Sequence, residues 1–130
     1  GTLHVRVLRV DGMPVTVAHR TLFCVLAFND QRAQTTAARA ATVAEWRDEE
    51  NSFVVRDEGP LQVCVLGTML DKARGESRDV LFGDVLVRYS MLAEARTSCE
   101  HRLELALLPG PTGTRARAHV TLQLWLEGGR

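Results

Sequence analysis

The sequence predicts an all-β fold, an eight-stranded antiparallel β-sandwich, and three observations carry that prediction. Apolar residues recur at every second position in several separate runs. Clusters of Gly, Pro, Asp and Asn divide the runs as often as a sandwich or barrel requires. Helical character is confined to two stretches, residues 37–50 and 90–95.

Taken in order, Leu3, Val5 and Val7 alternate with His4 and Arg6. This is a strand with one face for a core and one for water. Residues 22–28 are nearly all apolar, which predicts a central strand covered on both sides. Residues 34–40 are polar and Ala-rich and read as an exposed or edge strand. Residues 53–55 and 61–66 are short apolar runs split by Asp57, Glu58, Gly59 and Pro60, a turn signal. Residues 80–87 form another strand, interrupted by Gly83 and Asp84. Leu103, Leu105 and Leu107 alternate with Arg102 and Glu104. Val120, Leu122, Leu124 and Leu126 alternate with His119, Thr121 and Gln123. Residues 90–95 suit one or two helical turns with Ser90 as N-cap. Residues 37–50 are rich in Ala and Glu; we read them as strand followed by a loop around Trp46, with helix as the alternative. Pro109, Gly110, Pro111 and Gly113 mark a long hairpin loop.

The 130 residues amount to one domain, 1–130, and the start at Gly1 without Met suggests a piece of a larger protein. Sixteen Lys and Arg balance sixteen Asp and Glu, which argues against a dedicated nucleic-acid binder. No apolar run reaches the roughly 18 residues of a membrane-spanning helix. Cys24, Cys64 and Cys99 lie far apart with no CxxC spacing, so we expect reduced thiols and an intracellular protein, cytoplasmic or peripheral to a membrane or the cytoskeleton.

The ordered segments resemble a C2 domain over essentially the whole chain. Leu3-x-Val5-x-Val7 followed by Met13-Pro14 looks like the family's first strand and loop, and Leu22-Phe23-Cys24-Val25 sits where Asp-Pro-Tyr-Val is usual. Trp46 with Asn51-x-Phe53 resembles the Trp-Asn-Glu-x-Phe turn, and Leu81-Phe82-Gly83 the Phe-Ile-Gly after the third loop. The start at the Leu-x-Val-x-Val strand is similar to the circularly permuted, phospholipase-C-like form, which implies two four-stranded sheets.

The resemblance also implies calcium-dependent membrane docking through about five Asp residues in the first and third loops, since calcium takes six to eight oxygen ligands. Here Thr21 stands at the Asp of Asp-Pro-Tyr, Leu66-Gly67-Thr68 replaces Asp-x-Asp, and Asp11, Asp71 and Asp79 are displaced among Arg74 and Arg78. We therefore expect no calcium and no other cofactor. Reading the loops as 11–21 and 67–80, their tips offer Met13, Val15, Val17, Met69 and Leu70 beside Arg20, Lys72 and Arg74, a set suited to an acidic phospholipid surface. A second surface, with Arg32, Gln34, Arg39 and Arg56, lacks a lysine cluster and is crowded by Glu45, Asp48, Glu49, Glu50, Asp57 and Glu58. It reads as a mixed-charge face, with an acidic patch for a basic partner as the alternative.

An enzyme is not expected. His4, His19, His101 and His119 have no metal-like spacing, there is no Gly-x-Ser-x-Gly, and Cys99 with His101 is a weak nucleophile signal. His4 and His119 fall on the polar phase of their strands, and Trp125 falls outside the apolar phase of its own, where it could serve an interface. The expectation is a non-catalytic, calcium-independent targeting or scaffolding module. It would act on a protein partner or on other domains of its parent chain. Binding to acidic phospholipid is the alternative.

Overall fold

Period-two alternation becomes two antiparallel sheets packed face to face. The computed structural model describes residues 1–109 and 117–128. The first sheet is built on β1 (Thr2–Asp11), which pairs on one side with β11 (His119–Glu127) and on the other with β5 (Ala44–Glu45) and β6 (Asn51–Val54); β9 (Cys99–Glu104) flanks β11. The second sheet runs β10 (Ala106–Leu107), β8 (Glu76–Val87), β7 (Leu61–Asp71), β2 (His19–Phe28) and β3 (Gln31–Gln34), with β4 (Ala38–Arg39) also on β2. Because β3 and β4, β5 and β6, and β9 and β10 are successive pieces of three runs, the eleven segments form eight ribbons. The all-β sandwich expected from the sequence is the observed architecture.

The core lies between the sheets. Leu3, Val5, Val7 and Val10 of β1 and Val120, Leu122 and Leu124 of β11 meet Leu22, Leu26 and Phe28 of β2 and Leu61, Val63 and Val65 of β7, all at most 2% exposed. A register shift between Val7 and Arg9 explains why Val10, three residues after Val7, rejoins the buried set. β2 and β3 are joined by Asn29 and Asp30, both at positive φ (47° and 61°), the geometry of a type I′ hairpin turn. The Asn29 Oδ1 atom accepts from the backbone N–H groups of Arg56 (2.7 Å) and Asp57 (3.0 Å). The Gln31 amide both donates to the Val54 carbonyl (2.6 Å) and accepts from its N–H (2.8 Å), so it stands in for a strand neighbour. Together they join the two sheets at that end.

Several expectations change. The expected 34–40 strand breaks at Thr35, whose side chain turns inward, 4% exposed. Its hydroxyl accepts from the Cys24 N–H (2.9 Å) and donates to the Thr36 carbonyl (3.0 Å). Residues 37–50 form no helix, and Trp46 is buried there with its Nε1 donating to the Thr36 carbonyl (2.7 Å). The helix α1 (Tyr89–Glu94) is capped from Arg88 with no side-chain bond, not from Ser90, which lies inside its first turn. The stretch 67–80 is not a loop: β7 and β8 stay paired to Asp71↔Glu76, leaving only residues 72–75 as turn. The alternating run of Leu103, Leu105 and Leu107 divides at Leu105, 4% exposed, where the chain crosses from the first sheet to the second. Gly110, Pro111 and Gly113 of the expected hairpin loop lie outside the described residues.

Thr35 provides a test of the fold. Thr35→Val keeps the shape but leaves the buried Cys24 N–H unpaired, and we expect it to cost about 1–3 kcal/mol in denaturant unfolding. Thr35→Ser should retain most of that stability. Equal loss in both variants would show that the methyl contact, not the hydroxyl, holds this position.

Candidate functional site

Three surfaces come into question: the corner where the two expected loops meet, the outer face of the first sheet and the outer face of the second. At the corner, the backbone N–H of Leu70 donates to the Ala18 carbonyl (3.1 Å), which joins the β1–β2 loop to the β7–β8 hairpin. The loop is closed by His19, whose Nδ1 accepts from the Thr16 N–H (2.8 Å) and whose ring packs on Phe82 at 4.8 Å. This leaves Val17 at the apex, 96% exposed, beside the exposed hairpin turn with Lys72 and Arg74.

The other expected tip residues are placed differently. Met13 is 1% exposed, its N–H donating to the Thr42 carbonyl (3.0 Å), so it caps the core and is corrected as a contact residue. Val15 packs partly against the core. Met69 and Leu70 are half-buried in the ladder, opposite Arg78 and Ser77. Arg20 is exposed on β2 at a register shift.

Where the C2 resemblance would require carboxylates, the corner holds hydroxyls. Thr21 Oγ1 donates to Thr68 Oγ1 (2.8 Å), a neutral pair. Asp11 is turned toward Arg102, whose Nη2 donates to Oδ1 at 2.9 Å, with Arg9 and His119 also within ion-pair distance. Its carboxyl is held below the ordinary range, first by the Arg102 hydrogen bond, against a smaller opposing effect of burial. Asp71 accepts from the Ala73 N–H (3.1 Å). No group of three His, Cys, Asp or Glu among the described residues could hold a metal ion, and these residues do not fit calcium.

The outer face of the first sheet is charged and internally paired. His4 Nδ1 lies 3.1 Å from Glu50 and Nε2 lies 2.6 Å from Glu127, while the ring stacks on Trp125 at 4.9 Å. The Arg6 guanidinium lies over the same indole at 5.7 Å and also reaches Glu50. Trp125 does face outward, as its phase requires, but His4 and Arg6 cover part of it. His4 and His119 are on the outer face yet mostly covered, with side chains 14% and 20% exposed. Of the acidic residues expected to crowd Arg32, Gln34, Arg39 and Arg56, Glu49 is taken by Thr36 and Glu50 by His4 and Arg6.

The outer face of the second sheet has the opposite character. Register aligns three rows across it: Arg32, Ala27, Gln62 and Leu86; Gln34, Val25, Cys64 and Asp84; and Phe23, Leu66 and Leu81. Leu86 is 58% exposed and Leu81 39%. Most of the first two rows lines an open groove of about 570 Å³, bounded by the Asn29–Asp30 turn on one side and by Pro60 and Leu86 on the other. Asp84 accepts from Gln62 Nε2 (3.0 Å), so its carboxylate is engaged across the rows. The sequence does not single out these residues. Their one signal is the run 22–28, apolar in both phases, from which cover on both sides is expected; the structure covers the Leu22, Cys24 and Leu26 side, and Val25 and Ala27 are left facing the groove.

The thiols of the second sheet are held in their neutral form. Burial pushes the Cys24 thiol up to about 12, and burial followed by the Asp84 charge raises Cys64, with Arg32 opposing. Neither is a thiolate at neutral pH.

No family model and no curated protein matches this chain. Solved structures do. The C2 domain lettered A of plant Extended Synaptotagmin 1 aligns at 18% identity and TM-score 0.69, covering 96% of this chain and 92% of that one. A C2 domain-containing protein from a putative elicitor-responsive gene aligns at 16% and 0.70, covering 99% and 90%. The tandem C2 domains, A and B, of Extended-Synaptotagmin 2 align at 12% and 0.75, covering 96% of this chain and 41% of that longer one.

The Arg102–Asp11 contact predicts a pH dependence. A carboxyl held low in the folded state contributes stability that is present above its unfolded value and lost as pH falls through its folded value. Asp11→Asn should therefore lower stability at pH 7, by about 0.2–1 kcal/mol as for other surface ion pairs, and the gap to wild type should close in strong acid. Thermal melts from neutral pH down to about pH 2 test this. A gap independent of pH would contradict it.

Proposed function

We propose that this chain, a β-sandwich with the C2 fold, is a non-catalytic, calcium-independent targeting or scaffolding module that docks protein through the outer face of its second sheet. The observation that carries the reading is the contrast between its two outer faces. One presents charged residues that pair among themselves. The other presents Val25, Ala27, Cys64, Leu66, Leu81 and Leu86 across three strands. An apolar patch rimmed by polar groups is how protein-binding surfaces differ from ordinary solvent-facing sheet. The groove is open and shallow, suited to a side chain or strand of a partner more than to an enclosed small molecule. Calcium independence is supported by the Thr21–Thr68 pair and by the engagement of Asp11 with Arg102.

A second reading, binding to acidic phospholipid through the corner, has the exposed Val17 and the cations Lys72, Arg74 and Arg78 in its favour. Magnitudes weigh against it. With Met13 in the core, insertion of Val17 contributes at most about 1.5–3 kcal/mol, well short of even millimolar affinity. The hairpin's three cations share it with Asp71, Glu76 and Asp79, which cancels the roughly 1 kcal/mol that each cation adds at an anionic surface.

Leu86→Asp in the full-length protein should abolish co-purification with its physiological partner and disperse its localisation, with the melting temperature unchanged. Val17→Asp with Lys72→Glu should leave both intact and should not alter sedimentation with phosphatidylserine vesicles. Calcium up to about 1 mM should leave the melting temperature unchanged. Localisation that survives Leu86→Asp but fails with Val17→Asp, together with vesicle binding, would replace the protein reading with the lipid one.

A further inference from the structure

Resting on the groove reading above, we infer that one occupant of this face is a second copy of the same chain, related by a two-fold axis. In a two-fold interface the same patch is used twice, so a residue that meets another across the axis is met by it in return. The patch must therefore complement itself. The groove does so in charge and in chemistry. Asp30 and Arg32 are its lining residues of opposite charge, two positions apart at the β2–β3 turn, and neither belongs to an ion pair among the described residues. A two-fold axis over the groove lets Asp30 of each copy face Arg32 of the other, forming two pairs from residues that lack one in the single chain. Asp84 keeps its charge, with Gln62 donating to it, and lies outside the residues that line the groove.

The apolar part fits the same arrangement. Leu86, 58% exposed, stands at the rim opposite the turn, while Val25, Ala27 and Cys64 form the floor, so the rim leucine of one copy can enter the floor of the other. The outer face of the first sheet offers no such match, since its charged side chains are already paired within the chain.

Charge reversal tests the reciprocity directly. Sedimentation velocity on the full chain, from micromolar to submillimolar concentration, should show a monomer–dimer equilibrium. Asp30→Arg alone and Arg32→Asp alone should each weaken it about tenfold or more, because like charges then meet twice across the axis. An equimolar mixture of those two variants should dimerise again as a heterodimer, and the double variant carrying both changes should dimerise with itself. Leu86→Asp should be monomeric with an unchanged melting temperature. A wild-type chain that stays monomeric throughout, or a mixture that fails to restore association, overturns the inference. If the wild type is monomeric yet Leu86→Asp still abolishes partner co-purification, the docking reading stands without self-association; if Leu86→Asp changes neither, both fall.

Discussion

A β-strand sends alternate side chains to opposite faces of its sheet, and β2 is apolar on both, a fact that shapes everything around it. Leu22, Cys24, Leu26 and Phe28 enter the core, which commits Val25 and Ala27 to the outer face, where Phe23 also lies but is covered. Cys64 and Leu66 of β7, and Leu81 and Leu86 of β8, join them in register. At about 25 cal/mol per Å² of apolar surface, leaving such a face in water forgoes several kcal/mol that cover would supply. The first sheet has less of this deficit: β1 alternates up to Val7 and β11 up to Leu124, and His4, Arg6, Asp11 and His119 of their outer faces lie within ion-pair distance of neighbouring charges. The asymmetry between the sheets, more than any single residue, is the ground on which docking is proposed for the second sheet.

The loop corner tells a complementary story. A cation site of the kind the C2 resemblance implies depends on carboxylates held close together, which repel one another unless an ion sits between them. Here two threonine hydroxyls bond to each other at the corresponding positions, and Asp11 is drawn away by Arg102. The side chains at the corner bond to one another and to Arg102. The β7–β8 hairpin above it is a continuous ladder to Asp71 rather than an open loop, which holds Met69 and Leu70 in half-buried positions and leaves Val17 as the most exposed large apolar residue among the described ones.

Most of the fold was legible because alternation is a local signal. The runs around Leu3, Leu103 and Val120 became β1, β9 with β10, and β11 with the expected faces inward. Legibility failed where distant partners decide. Met13 looks like an exposed loop residue until Thr42 supplies its backbone acceptor and the core its side-chain contacts. Residues 67–71 contain Gly67 and a polar Thr68, and only pairing with residues 76–80 makes them strand. Ser90 has the chemistry of a cap, but the chain enters α1 two residues earlier, from Arg88. The groove was half legible: residues 22–28 announced two apolar faces, while the row through Cys64 and the exposed Leu86 appeared only once register aligned three strands.

Cys64 lies on the groove floor and Cys99 is exposed on β9, so the molecule carries its own probe and its own control. The decisive measurement is the ratio of alkylation rates of these two thiols, taken in the full-length protein inside cells and again in dilute purified protein. If the outer face of the second sheet is where partners dock, Cys64 will be protected in cells relative to Cys99, and Leu86→Asp will remove that protection. Equal ratios in the two settings would mean that this face stays open to water in its working state, contrary to the role given to it.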